Sequence, residues 1–426
     1  MSFPPRPLVS RVARPVAEYL QIEGAGGFAL VSAAALALLL ANSPWHDMYN
    51  ELWATEVGIR AGGLELEEDL RHWVNDGLMV LFFFVVGLEI KTELVSGELA
   101  RARRAAVPVA AAAGGMLAPA LVYLSINADD HSSGWGVPVA TDIAFALSVV
   151  GLLGERVPQP LKVLLLGLAI VDDVGAVLII ALFYTESLSV GWLGAAGALT
   201  LLVVLLRSLH VSYLPFYAVV GVGVWLATLE SGVHATIAGV VLGLLAPARP
   251  LVSRDHVNQV VAEQTANHDA ADLRDVAVAV RQATPVAERL KDGLHPWTSF
   301  LVVPTFALAN AGVTFDSERI SDAATSPVTL GVIAGLLVGK PAGILGAIWL
   351  VTHLTRAEVP PGSTWRHLAG LGTVAGIGFT MSLFIAGLAF GETSEQFEQA
   401  KLGIFAASAA AGTAGGTLLW TSRNRV

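Results

Sequence analysis

Apolar stretches recur along the whole chain, each followed by a short polar segment, and most run roughly 18 to 25 residues, enough to cross a hydrocarbon core as a helix. Twelve can be counted, near 27–42, 76–95, 105–126, 134–154, 160–185, 188–206, 214–230, 232–247, 296–313, 327–352, 366–391 and 399–421. The first is short, but 28–40 is apolar apart from Ser32, and Asn42-Ser43-Pro44 ends it cleanly. The pattern predicts an all-α integral membrane protein of about twelve transmembrane helices, forming a single transmembrane domain over residues 1–426. Composition agrees. Hydrophobic residues make up 54% of the chain and charged residues 14%, against about a quarter charged in soluble domains. The lipid bilayer is therefore the expected surrounding, and no nucleic-acid partner is expected. Cysteine is absent, which excludes disulfides and thiolate metal sites.

Charge fixes an orientation. Twenty of the twenty-five Lys and Arg residues fall in one set of loops, including Arg101, Arg103, Arg104, Arg254, Arg289 and Lys291. The alternate loops hold only Arg60, Arg71, Arg319 and Lys401, with acidic clusters such as Glu65, Glu67, Glu68 and Asp69. The positive-inside rule then puts both termini in the cytoplasm, with 1–26 as a cytoplasmic N-terminus. Pro4, Pro5, Pro7 and three arginines precede the first apolar run, so a retained N-terminus is expected in place of a signal peptide. Within the extracytoplasmic segment 43–75, Glu56-Val57-Gly58-Ile59-Arg60 and Leu64-Glu65-Leu66-Glu67 alternate about Ala61-Gly62-Gly63. That is a β-hairpin signal. A lone hairpin is marginal in water, so this one is a candidate surface for a homodimer. The polar segment 248–295 is expected to hold one or two amphipathic cytoplasmic helices around Val257, Val260, Val261 and Leu273, Val276, Val280.

Ionisable residues at membrane depth cost about 2.5 to 3.5 kcal/mol each on insertion scales. Here Asp142 lies mid-span in the fourth stretch, Asp172 and Asp173 in the fifth and Lys340 in the tenth. Three carboxylates against one cation leave a net negative midplane site, which is more than an inert ion pair needs. Na⁺ is a hard cation that takes oxygen ligands, and two or three carboxylates with carbonyls from an unwound segment would supply them. The same carboxylates, desolvated and crowded by like charge, hold protons more tightly than in water. Competition between Na⁺ and H⁺ for one set of oxygens follows. Asp142-Ile143-Ala144-Phe145-Ala146-Leu147-Ser148 also resembles Gly376-Ile377-Gly378-Phe379-Thr380-Met381-Ser382, and the two lie in the fourth and eleventh stretches, which run oppositely through the membrane. Inverted-topology repeats, 105–185 and 327–421, are therefore expected, each with a discontinuous helix near Pro138 or the glycines at 370–378.

Ala140-Thr141-Asp142-Ile143-Ala144-Phe145, Val171-Asp172-Asp173-Val174-Gly175-Ala176, Ser231-Gly232-Val233-His234-Ala235-Thr236, Val338-Gly339-Lys340-Pro341 and the stretch 376–382 resemble the NhaA family of bacterial Na⁺/H⁺ antiporters. That family is itself a known example of inverted repeats with broken helices. The resemblance runs from about Gly24 to the C-terminus. It implies a multi-pass protein of the bacterial inner membrane that exchanges cytoplasmic Na⁺, and Li⁺, for external H⁺, electrogenically and without a cofactor, in pH and sodium homeostasis. It implies that Asp173 is the principal cation-binding carboxylate and Asp172 its neighbour and proton carrier. Asp142 with Thr141 then sits where two broken helices cross, offsetting the positive ends of half-helices, and Lys340 offsets the negative ends. Asp76 matches an aspartate near the cation route, and on sequence alone it is equally a helix N-terminal charge following Asn75. Glu89 and Glu93 match a pH-response region, and His234 and Lys291 fall at positions linked to it. Two departures stand out, Thr92 in place of an expected arginine and Lys291 in place of an expected glutamate.

Two other classes fit less well. An intramembrane aspartyl protease needs its aspartates in Tyr-Asp and Gly-x-Gly-Asp contexts, absent here, and a channel needs a repeated selectivity filter. A Na⁺-coupled symporter of an organic solute is the alternative, since broken helices serve symport as well.

Overall fold

The computed structural model describes residues 25–61, 64–128, 131–185, 188–209, 214–250, 252, 283–355 and 357–422. The chain divides into two compact units, one of residues 1–78, 106–184 and 296–426, the other of 79–105 and 185–295. All twelve apolar stretches fall on helical segments. Six helices are long and apolar enough to cross a membrane, or eight if each of two bent pairs is one span.

In the larger unit the long helices are Ala102–Ile126, from residue 106 onward, Gln159–Phe183 and Glu395–Thr421. The expected interruptions are present. A 3₁₀ segment, Ser132–Val139, gives way to extended backbone at Ala140 and resumes as helix Ile143–Leu153 at Asp142. Helix Trp365–Val374 breaks at residues 375–378 and restarts as Phe379–Phe390, with a bend of 47°. The chemistry of the breaks is local. Pro138 removes a backbone donor. A Cβ on Gly376 would lie 2.5 Å from the carbonyl oxygen of Leu336, so only glycine permits this approach. A third apolar helix, Pro327–Leu354, stays continuous but widens to a π-turn over Gly335–Gly339, immediately before Lys340.

Glycine also sets how closely these helices pack. A Cβ on Gly114 would come within 2.2 Å of Gly343 O, and one on Gly343 within 2.0 Å of Gly114 O. The two backbones therefore touch, the small-residue packing expected where lipid gives no hydrophobic drive between helices. The smaller unit uses the same device. Helix Met79–Ser96 lies against helix Thr236–Leu245, where a Cβ on Gly87 would come 2.6 Å from Val240 O and one on Gly239 2.3 Å from Val80 O. Helices Val190–Ser208 and Leu214–Leu229 and the start of Val286–Trp297 complete that unit.

The hairpin is present as a two-stranded antiparallel sheet, Glu56–Ala61 with Leu64–Asp69, pairing Glu56 with Asp69 and Ala61 with Leu64. Two helices that the apolar pattern does not predict flank the spans. His46–Trp53 turns 118° from helix Ala25–Ala41, and Ser317–Thr325 precedes Pro327. Both are short and largely exposed. The eighth apolar stretch, read as 232–247, is helical only over Thr236–Leu245, because the chain first turns at Gly232 with φ of 80°. The expected helices around 257–261 and 273–280 lie outside the described residues. From Val286 the segment is helical.

Candidate functional site

The interrupted helices bring their ends to buried side chains in the larger unit. Asp142 caps helix Ile143–Leu153, its Oδ1 accepting from Phe145 N at 3.0 Å. Its Oδ2 accepts from Thr380 N at 3.0 Å and from Thr380 Oγ1 at 2.6 Å, at the start of helix Phe379–Phe390. Two helix N-termini, each equivalent to about half a positive charge, thus converge on one carboxylate that is 2% exposed. The two interruptions are stitched across one another: Asp142 N donates to Ile377 O at 2.7 Å and Thr141 Oγ1 to Ala375 O at 3.0 Å. Ser382 Oγ adds a bond to Val137 O at 2.7 Å.

Lys340 stands at the opposite kind of helix end. Its side chain is fully buried, and its Nζ donates to Val139 O, the last carbonyl of the 3₁₀ segment. The same ammonium lies 2.8 Å from Asp172 Oδ2, both groups 1% exposed or less. Asp172 and Asp173 are adjacent on helix Gln159–Phe183 and buried together. Adjacent helical side chains diverge by about 100°, so the two carboxylates address different surroundings. Asp172 Oδ1 is buried without a hydrogen-bond partner among the described protein atoms. An anionic oxygen in that state costs free energy unless a ligand meets it. Among the described residues no group of three His, Cys, Asp or Glu side chains could hold a metal ion. Any ion at Asp172 and Asp173 would draw further oxygens from hydroxyls or from the unwound backbone.

Of the residues picked out from the sequence, Asp142, Thr141, Asp172 and Lys340 join this network, and Asp173 stands beside it. Asp76 does not. It pairs with His72 at 3.0 Å near the hairpin, and that hydrogen bond raises the His72 pKa to about 9. Glu89, Glu93, Lys291 and His234 belong to the smaller unit. Glu93 accepts from Glu98 N at 2.6 Å and Leu99 N at 3.2 Å, closing the turn after its helix. Lys291 is the charge that acts on Glu89. His234 is half-buried, and its carbonyl accepts from Ile237 N at 3.1 Å in the turn that starts helix Thr236–Leu245. Sequence reasoning quoted Thr380 and Ser382 within a motif without giving either a role, and it missed Val139. A hydroxyl just after Gly376 and Gly378, where a helix broken by glycines restarts, was the available signal for Thr380.

The sequence matches the Na⁺/H⁺ antiporter 1 family over residues 17–419. It is 45% identical over 419 residues to Na⁺/H⁺ antiporter NhaA 2 of Sorangium cellulosum, covering 95% of this chain and 89% of that protein. It is 46% identical to NhaA 2 of Myxococcus xanthus, covering 95% and 88%. It is 44% identical to NhaA of Rhodopirellula baltica, covering 97% and 95%.

Proposed function

The chain belongs to the NhaA family of Na⁺/H⁺ antiporters, and from that premise we propose how its own residues carry out the exchange. It is a multi-pass membrane transporter that exchanges Na⁺ for H⁺. Asp172 and Asp173 are the carboxylates for which the two ions compete, Asp173 as the principal cation ligand. Lys340 holds Asp172 while the site is empty of Na⁺ and releases it when the cation enters, so its proton takes part in the exchange. The observation that carries this reading is the buried Lys340–Asp172 pair at 2.8 Å with the second Asp172 oxygen unpartnered. Asp142, with Thr141, stays ionised and bound to the two helix N-termini, holding the crossing together while the site alternates its access.

The finer topology completes the proposal. Twelve spans form inverted repeats over 105–185 and 327–421, in the bacterial inner membrane, with both termini cytoplasmic and the hairpin outside. Segregation of Lys and Arg between alternate loops supports that orientation. The cargo extends to Li⁺, another hard cation suited to oxygen ligands. Asp76 lies on the cation route, and Glu89, Glu93, His234 and Lys291 adjust the pH response. The hairpin 43–75 joins two copies of the chain, since two strands alone leave unpaired edges. Proteoliposomes carrying a pH gradient test the exchange directly. Addition of Na⁺ or Li⁺ collapses the gradient and K⁺ does not, and a gradient indifferent to Na⁺ would refute the assignment.

A further inference from the structure

Away from the midplane carboxylates, the larger unit holds a second buried polar cluster. Helix Phe379–Phe390 ends at Gly391, whose φ is 77°. The turn sends Glu392 back alongside Gly387, with its Cγ 3.7 Å from where a Cβ on that glycine would stand. The Glu392 carboxylate lands on Asn75, where Nδ2 of Asn75 donates to its Oε1. Asn75 is 8% exposed and Asn310 5%. Asn75 Nδ2 also donates to Asn310 Oδ1 at 3.3 Å, and Asn310 Nδ2 returns a bond to Asn75 Oδ1 at 2.8 Å and one to Phe306 O at 3.0 Å. One carboxylate thus closes a reciprocal amide pair in which each amide donates twice. Three elements meet there: the turn Trp73–Leu78, the end of helix Val303–Asn310 and the end of helix Phe379–Phe390. An edge-on contact between Phe306 and Phe384, 6.1 Å between centroids, adds an apolar link between the two helices.

The far end of helix Phe379–Phe390 is the end that holds Asp142 through Thr380. At 1.5 Å per residue, its 12 residues make a rod of about 18 Å, with the buried Asp142 carboxylate at one end and the half-buried Glu392 carboxylate at the other. We propose that Glu392 is a positioning residue for the exchange, its carboxylate anchoring the outer end of this half-helix on Asn75, and that a proton from outside loosens the anchor. This role rests on the orientation proposed above, which places Glu392 and the hairpin on the extracytoplasmic side.

The charge environment is mixed. Burial raises the Glu392 pKa, while the Asn75 hydrogen bond, Arg71 and His72 lower it and Asp69 raises it. Lys401, from helix Glu395–Thr421, also faces Glu392 and is itself paired with Glu398 at 2.5 Å. His72 is held by Asp76. An ionised Glu392 makes a charge-assisted bond to Asn75, roughly twice as strong as a neutral one. External acid that protonates it weakens the anchor, so turnover falls as outside pH falls.

Right-side-out vesicles with internal pH clamped allow ²²Na⁺/Na⁺ equilibrium exchange to be followed at saturating Na⁺ while external pH is stepped. The wild-type rate falls several-fold on external acidification. Glu392→Gln, which keeps an acceptor but cannot titrate, gives a flat profile near the wild-type acid plateau, with the KM for Na⁺ unchanged. Glu392→Ala is flat and lower still. A Glu392→Gln profile identical to wild type, or a changed KM with an unchanged profile, overturns the proposal. So does a wild-type rate indifferent to external pH at saturating Na⁺, which needs no variant at all. Flattening seen only when internal pH is stepped keeps the anchor and refutes the orientation.

Discussion

Asp142 and Asp172 are both buried carboxylates in one compact unit, and they are held in opposite ways. Both oxygens of Asp142 are occupied, by Phe145 N on one side and by the amide and hydroxyl of Thr380 on the other. Asp172 gives one oxygen to Lys340 and leaves the other without a protein partner among the described residues. A carboxylate wrapped by helix N-termini gains its stabilisation from fixed dipoles, and releasing it would break the fold. A carboxylate held by a single ammonium keeps its second oxygen available to a cation that can take the ammonium's place. Burial alone therefore does not separate the two carboxylates; the state of the second oxygen does. The two glycine-packed crossings, Gly114 on Gly343 and Gly87 on Val240, hold the surrounding helices without drawing on either carboxylate.

The largest effect separates the open pair from the closed carboxylate. Asp173→Asn abolishes Na⁺/H⁺ exchange in proteoliposomes while the protein still folds, because an amide keeps the shape and cannot trade a proton for a cation. Exchange retained at unchanged Na⁺ affinity would remove Asp173 from the site. Next comes the charge count. With Asp142 bound to helix ends, the proposed exchanging set is Asp172, Asp173 and Lys340, with more than one H⁺ expected to move per Na⁺. Exchange is then electrogenic, and 100 mV contributes about 2.3 kcal/mol per net charge moved, about fifty-fold in the final Na⁺ ratio. Clamping the potential with valinomycin and K⁺ checks this, and an indifferent rate and end point would refute it.

Asp142→Asn probes the closed side. One amide oxygen cannot serve both Phe145 N and the Thr380 pair, so at least one buried donor is left facing an NH₂ group, at about 1 to 3 kcal/mol. Thermal unfolding in detergent should shift down by several degrees, while the exchange that remains keeps its apparent Na⁺ affinity. Unchanged unfolding with loss of Na⁺ binding would instead make Asp142 a direct ligand and collapse the contrast.

Much of this was legible in the chain. Asp142, Asp172, Asp173 and Lys340 stand out because charge inside an apolar span is costly, and Pro138 and the glycines at 370–378 mark where helices break. Their partners were less visible for physical reasons. The Val139 carbonyl belongs to every peptide chain and carries no side-chain signal. Asn75, Asn310 and Glu392 lie at span ends, where polar residues are ordinary. Gly114 and Gly343 sit in membrane helices, where glycine is frequent. Helices His46–Trp53 and Ser317–Thr325 are too short and too polar for the apolar pattern to mark.

The smallest effect tests whether the open pair by itself sets the pH response. On the proposed mechanism protons must leave Asp172 and Asp173 before Na⁺ binds, so apparent Na⁺ affinity falls as internal pH falls at fixed external pH, in the manner of simple competition, while the rate at saturating Na⁺ changes less. The charges of the smaller unit are poorly placed to override this. Glu93 is used up in capping the turn at Glu98 and Leu99, as Asp142 is used up by its helices, and Glu89 is acted on by Lys291 where the family resemblance leads one to expect an acid. None of the three is fully buried, and between solvated groups charge effects are screened over about 8 to 10 Å. Changing Glu89 or Glu93 to Gln, or Lys291 to Met, should therefore move the half-maximal pH by less than about one unit, an energy below ~1.4 kcal/mol. The measurement is the Na⁺ dependence of exchange at several pH values in the parent and in each variant. With external pH held fixed, a profile that stays steep against internal pH at saturating Na⁺, or that collapses when Glu89 or Glu93 is neutralised, would mean that a separate internal sensor governs the transporter and that the unpartnered oxygen of Asp172 is not where internal pH acts.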